Sequence, residues 1–592
     1  MSQGDFVRAL SDEPTAMPGE PSAPGFGTEQ DRGTASAERA WCGLFAQVLR
    51  LDRVGHEDSF LDLGGDSITA MLLVAQAREA GYAVSVRDVF EFLTPVALAA
   101  VAGSAGTGAG EADGEAAGEV PVTPVIAALA GRAAPGTRYC QQMTVRVPAG
   151  LGLAPLEAAL GAVADCHQML RARLIADEQG WRLVVPPPGG GAGGVLARRV
   201  DAAGMDDEGL AAAAVRAGRA AARRLDARGG VMMQAAWLDA GPSRPGLLVV
   251  VIHHLVVDGV SWRVLLPDLA AAWQAAAAGR APALERTGTS FRSWARLLAA
   301  RSADPAVTAE LPAWEAVLKG EDAPLTSRPL DPGRDTRASL AGVRVAVGAD
   351  TGGVLLVTAP AVIHAGPQDV LLAALVTAVD RWRPGPGGGP LLVDVEGHGR
   401  EPFTAATDLT RTVGWFTSVY PVRLDPGPVP WTELTTGGPA AGQLVKRVKE
   451  QVRAVPGNGL GYGLLRYLNP ATAPVLAALT APQIGFNYLG RVQGGQPARS
   501  REPAAGDWQP TGHGGLGGAT EAELPVAHVL EASVTVRETP TGPELTLRLS
   551  APRELAAGRA LRQLAGYWTA ALEGIAAYTI SLSAKPTLSH LL

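Results

Sequence analysis

The stretch that most constrains this chain is Leu247-Leu248-Val249-Val250-Val251-Ile252, followed at once by His253-His254. A short, mostly β-branched apolar run reads as a strand buried on both faces, and hence as part of a sheet covered by helices. Two imidazoles then arrive where rigid scaffold gives way to loop, the usual mounting point for reactive groups. Successive side chains of an extended segment point to opposite faces, so one of His253 and His254 serves a site and the other the scaffold. Asp258 offers a carboxylate that can fix the following loop, and Gly259 is expected to permit a tight return that a Cβ would obstruct.

At 592 residues the chain calls for several compact units. Its 47% hydrophobic content supplies cores, and a net charge of -7 is small for this length and speaks against a nucleic-acid partner. Cys42, Cys140 and Cys166 have no metal-ligand spacing and fit free thiols in a reducing compartment. No run of about 18 apolar residues suggests a membrane span, and the N-terminus lacks an apolar signal core. The expectation is a soluble cytoplasmic protein with no membrane partner and no metal.

Residues 1–34, Pro/Gly-rich and acidic, read as a disordered leader. Helical periodicity begins at Ala35, with Trp41, Leu44, Phe45 and Val48 on one face. A second helix carries Ile68, Met71, Leu72 and Ala75, and Ser67 stands at its N-terminus, near the positive end of the helix dipole. A bare Asp-Ser there is a helix cap. The longer string Asp58-Ser59-Phe60-Leu61-Asp62-Leu63-Gly64-Gly65-Asp66-Ser67 resembles the modification site of peptidyl carrier domains, small all-α four-helix bundles. The resemblance assigns residues 35–102 to such a domain and implies 4'-phosphopantetheine on Ser67, whose phosphate a helix N-terminus suits. Residues 103–119, rich in Gly, Ala and acidic residues, read as a flexible linker.

From Val120 strands and helices alternate. A first lobe, 120–330, should close at the Pro-rich turn before Asp331-Pro332-Gly333; a second covers 331–580, leaving 581–592 as a docking tail or frayed end. His253-His254-x-x-x-Asp258-Gly259 resembles the active-site motif of the condensation superfamily of nonribosomal peptide synthetases. That implies a two-lobed α/β fold similar to chloramphenicol acetyltransferase. Cys166-His167-Gln168-Met169-Leu170-Arg171 resembles a helix end of the same family, in a structural role. In the second lobe, Leu391 to Val395 is a strand ending in Glu396-Gly397-His398-Gly399-Arg400, so Glu396 occupies a strand end as His254 does. Arg411-Thr412-Val413-Gly414-Trp415, Pro456-Gly457-Asn458-Gly459-Leu460-Gly461-Tyr462 and Phe486-Asn487-Tyr488-Leu489-Gly490 follow. These four signals in this order resemble the epimerization branch.

The resemblance implies L-to-D inversion at Cα of an aminoacyl or peptidyl thioester held on the carrier. It makes His254 and Glu396 the proton carriers, with Asp258 and Gly259 shaping the loop and His398 and Arg400 holding the Glu396 turn. Asn487 and Tyr488 either position the pantetheine arm, donate to the enolate oxygen, or organise the backbone at a strand end. One residue with water, or two residues, can carry the protons. Partners implied are a phosphopantetheinyl transferase, an adenylation enzyme loading the carrier in trans, and a downstream condensation domain. Rival readings are amide formation by the same superfamily, an inert carrier-docking module, and an acyl carrier for fatty or polyketide intermediates.

Overall fold

The computed structural model describes residues 29–49, 51, 53–60, 63, 65, 67–104, 113–189, 197–320, 322–383, 389–404, 407–492, 507–511, 522–539 and 541–584. Leader residues 1–28, tail residues 585–592 and the motif positions Leu61, Asp62, Gly64 and Asp66 lie outside them.

Helices Glu29–Leu49, Ser67–Glu79, Val86–Phe92 and Pro95–Val101 enclose Trp41, Phe45, Phe60, Leu73, Val89 and Leu98. The third helix starts with a capping box between Ser85 and Asp88, and the fourth is capped by the Thr94 side chain. The first helix begins at Glu29, inside the stretch read as leader. The linker's ends are also ordered. Gly103–Ser104 pairs with Tyr82–Ala83, Asp113–Ala116 is helical, and Gly118–Val120 adds a strand to Gly180–Val185. Arg292 secures this approach, donating to the carbonyls of Glu115 and Glu119 at 2.7 and 2.9 Å. The composition that suggests a free tether conceals these backbone contacts; residues 105–112 lie outside the described residues.

The first lobe holds a four-stranded sheet ordered Cys140–Val147, Gly246–His253, Met233–Asp239, Ala197–Asp201. All eight residues of Gly246–His253 are buried, as the apolar run requires. Residues 508–511 extend from the second lobe onto the free edge of Cys140–Val147: Arg146 N donates to Gln509 O and Thr511 N to Thr144 O.

The second lobe holds a six-stranded sheet ordered Leu340–Val347, Gly542–Pro552, Leu530–Thr539, Ile484–Val492, Leu391–Gly397, Ser418–Leu424. Its two faces differ in chemistry. Val393, Val395, Phe486, Ala532, Val534, Leu547 and Leu549 form one apolar face, joined in a common core with helices Pro367–Trp382 and Gly558–Ser583. The alternate positions carry Asp394, Glu396, Asn487, Glu531, Ser533, Arg548 and Ser550. The sheet therefore has one dry face against the helices and one polar face that gathers these side chains. Among the described residues no single helix is long and apolar enough to cross a membrane.

Candidate active site

His253 and His254 part as strand alternation demands. His253 is buried, meets Thr137 O at 3.2 Å and accepts from Leu255 N on Nδ1; desolvation lowers its pKa to about 4. It holds the turn. His254 donates its backbone N–H to Tyr139 O at 2.7 Å, and its ring lies between aromatics. Tyr139 stacks on it with centroids 4.6 Å apart and planes at 9°, and Trp415 tilts against it at 4.3 Å.

The hydrogen bonds fix the tautomer of His254. Trp262 Nε1–H can only donate, and it gives its proton to Gln141 Oε1 at 2.8 Å. The Gln141 amide nitrogen therefore faces His254 Nε2, 2.9 Å away, and donates to it. A neutral His254 then carries its proton on Nδ1 and its lone pair on Nε2. Burial favours that neutral form and lowers the pKa to about 4.

Asp258 ties the lobes together. Its Oδ1 accepts from Ser261 N (2.8 Å), Ser261 Oγ (2.7 Å) and Arg400 Nη2 (3.0 Å), and its Oδ2 from Phe416 N (3.2 Å). Both charges of the Asp258–Arg400 pair are buried. Gly259 departs from expectation: its φ is not left-handed and a Cβ there would meet nothing within 4 Å. The return is made by the Asp258–Ser261 hydrogen bonds, so no tight turn excludes a side chain. The glycine that is required sits in the other lobe. Gly399 has φ of +66°, and a Cβ would lie 1.8 Å from Phe416 O. Beside it, His398 Nδ1 accepts from Arg400 N at 3.0 Å, closing the turn that follows Glu396.

Glu396 ends its strand on the polar face of the second sheet and accepts from Asn487 Nδ2 on the adjacent strand. Desolvation raises its pKa to about 7, with His528 and Arg337 pulling downward and Glu531 upward. Asp394, two residues earlier on the same face, meets His528 Nε2 at 2.9 Å. Burial alone would lower the pKa of His528, but the hydrogen bond and charge of Asp394 hold it above the usual value. Gly485 makes room, since a Cβ there would lie 2.4 Å from His528 Nδ1.

Tyr488, next after Asn487, pairs with buried Val534 and packs on the apolar core, so the two motif residues face opposite ways. Tyr462 is buried against Trp314, 5.3 Å between centroids. His167 bonds Asp268 at 2.7 Å, and Arg411 covers both oxygens of the same carboxylate at 2.8 and 2.9 Å.

Sequence reasoning missed Tyr139, Gln141, Arg337 and His528. Gln141 and Gln142 are buried amides in a strand whose side chains are almost all buried, a pattern that signals a required hydrogen bond. The other three stand alone and carry no such signal. Tyr139 and Arg337 are charge-sensing neighbours common to His254 and Glu396. The Tyr139 phenol, raised in pKa by burial, also feels Arg337 and Glu396, and Arg337 acts on both His254 and Glu396. Arg337 is held by Glu531 at 3.1 Å.

In the carrier domain, Ser67 is the first residue of a 13-residue helix whose first turn has no acidic residue. That terminus suits a phosphodiester.

The condensation domain model matches residues 130–517, and the phosphopantetheine attachment site model matches residues 42–102. The chain belongs to the condensation-domain family. It joins a phosphopantetheine-bearing carrier domain to that two-lobed domain. It is 35% identical over 463 residues to chondramide synthase cmdD of Chondromyces crocatus, covering 77% of this chain and 11% of that protein. It is 35% identical over 462 residues to one of the linear gramicidin synthase polypeptides of Brevibacillus parabrevis, covering 76% of this chain and 6% of the relative. The chain thus spans about a tenth or less of these relatives. The solved epimerization domain from the third module of tyrocidine synthetase B superposes with a TM-score of 0.66 at 24% identity, over 78% of this chain and 98% of that one. The first condensation domain of the calcium-dependent antibiotic synthetase, in complex with a substrate analogue, gives 0.55 at 20%, over 78% and 96%. Both likenesses concern the two-lobed fold.

Proposed function

We propose that this chain inverts the Cα centre of an aminoacyl or peptidyl thioester carried on its own carrier domain at Ser67. The observation that supports this most directly is the pairing of His254 and Glu396 through shared neighbours: Tyr139 stacks on the imidazole while its phenol feels the carboxyl, and Arg337 acts on both. The phosphopantetheine arm supplies the thioester linkage that acidifies the Cα proton.

His254 Nε2, neutral and lone-pair bearing, takes the Cα proton in place of the Gln141 amide. Glu396, protonated up to about pH 7, returns a proton to the opposite face, and the reverse inversion exchanges the roles. Charge developing on the thioester oxygen meets the Tyr139 hydroxyl, the Asn487 amide beside Glu396 and the Arg337 cation. Amide formation, the rival chemistry in this family, has no evident use for a strand-end carboxyl held near neutrality.

The test is to load the phosphopantetheinylated protein with an aminoacyl group, incubate it in deuterated buffer and analyse the released amino acid for deuterium and chirality. Deuterium at Cα with mixed L and D forms, lost in Ser67→Ala and suppressed in His254→Ala and Glu396→Ala, is expected. Amide formation with a second loaded carrier, without Cα exchange, would replace this reading.

A further inference from the structure

Carrier and catalytic domain meet at a charge pair distant in sequence from every reacting group. Arg78, in the last turn of helix Ser67–Glu79, places Nη1 2.5 Å from Oδ2 of Asp408. Asp408 is held by its own domain on every other side. Its Oδ1 accepts from Thr410 N and Oγ1 at 3.1 and 2.6 Å, its N–H donates to Thr289 Oγ1 at 3.0 Å, and its carbonyl accepts from Thr289 N at 2.8 Å. One carboxylate oxygen is therefore committed internally and the other is presented to the carrier. A pre-positioned acceptor loses little side-chain freedom on binding, which separates it from an ordinary surface ion pair.

The location matters as much as the chemistry. Asp408 lies between the Glu396 strand and Trp415, in a connection pinned across both lobes by Arg400–Asp258 and Arg411–Asp268. Arg78 is eleven residues beyond Ser67, about 16 Å along a helix at about 1.5 Å per residue. A contact at that far end fixes the carrier while leaving the Ser67 end of the helix out of the ion pair.

We propose that Asp408 is the recognition point by which this domain holds its own carrier, reading a guanidinium at the C-terminal end of the modified helix. A carrier with an acidic residue at that position is repelled, so the pair also selects partners by charge. This rests on the reading that the carrier delivers its cargo to the domain that follows it, and its test needs no turnover.

Small-angle scattering of the full phosphopantetheinylated chain at low salt reports domain docking directly, and hydrogen exchange at residues 407–416 reports the contact surface. Arg78→Glu and Asp408→Arg each should expand the chain and deprotect the loop, with the docked fraction falling by up to about fivefold. The charge swap carrying both should restore compaction. Asp408→Asn, which can still accept from Thr410, controls for disruption of the loop and should show a smaller expansion in the same direction. High salt should weaken wild-type docking similarly. Unchanged scattering in both single variants, or a swap that stays expanded, overturns the proposal. Absence of Cα exchange in the wild type would reject the epimerase reading while leaving the scattering result to judge the docking contact.

Discussion

Burial places His254 near a pKa of about 4 and Glu396 near about 7, and the shape of the pH–rate profile follows. For the proposed inversion the working state has one proton shared between the two groups: neutral His254 with protonated Glu396 in one direction, or imidazolium with carboxylate in the other. These forms have the same proton count, so both directions follow the same profile. That state dominates between pH 4 and 7 and gives a plateau. Above pH 7 its share falls tenfold per unit, and the rate should drop about fiftyfold between pH 7 and pH 9. The assay is single-turnover inversion of a preloaded carrier, quenched and resolved by chiral chromatography, with Cα deuterium exchange followed in parallel. His528 next to Asp394 supplies positive charge that pulls the Glu396 pKa down, so His528→Gln should move the alkaline limb to higher pH. A flat profile from pH 6 to 9, or a rate rising through pH 7, would refute the assignment of a protonated Glu396 to the working state.

Other expectations follow from the same geometry. Tyr139→Phe keeps the ring stacked on His254 and removes only the hydroxyl, so turnover should fall about 100-fold in single-turnover assays with thermal stability unchanged. Glu396→Gln should raise the unfolding temperature at pH 9 but not at pH 4. The folded carboxyl titrates at about 7 against 4.5, so wild-type stability falls as pH rises through that interval, by up to about 3 kcal/mol, and the amide escapes the loss. Arg400→Ala strands the buried carboxylate of Asp258 and should cost about 3–5 kcal/mol in denaturant unfolding.

The parts of this molecule legible in its sequence are those written in short strings at strand ends. The apolar run before His253 announces a buried strand, alternation divides the two histidines, and the Glu396 turn advertises itself by its glycines. What stays hidden depends on pairing between distant strands. Tyr139 lies beside His254 because Cys140 pairs with His253 in the sheet register. His528 reaches Asp394 because Gly485, on the strand between, has no side chain to block it. Gly259 shows the opposite error: a glycine within a family motif invites the reading that its turn requires glycine, which its φ and open surroundings do not support. Tyr488 groups with Asn487 only by adjacency in the chain, and strand alternation separates the two side chains.

The connection from Glu396 to the strand Ser418–Leu424 draws these pieces into one mechanical unit. It supplies Arg400 to Asp258, Arg411 to Asp268, Asp408 to the carrier's Arg78 and Trp415 to the wall of His254. Separating the lobes would expose the Asp258–Arg400 pair and break the hydrogen bond from Phe416 N to Asp258, while peeling Arg146 and Thr144 away from residues 509–511. Those combined losses disfavour wholesale lobe opening as a route for cargo. For the proposed inversion, a substrate on its arm reaches His254 and Glu396 at lower cost by threading between lobes that stay together. That route requires the carrier to be held at a fixed point outside the cleft, which is the task the Arg78–Asp408 contact is placed to perform.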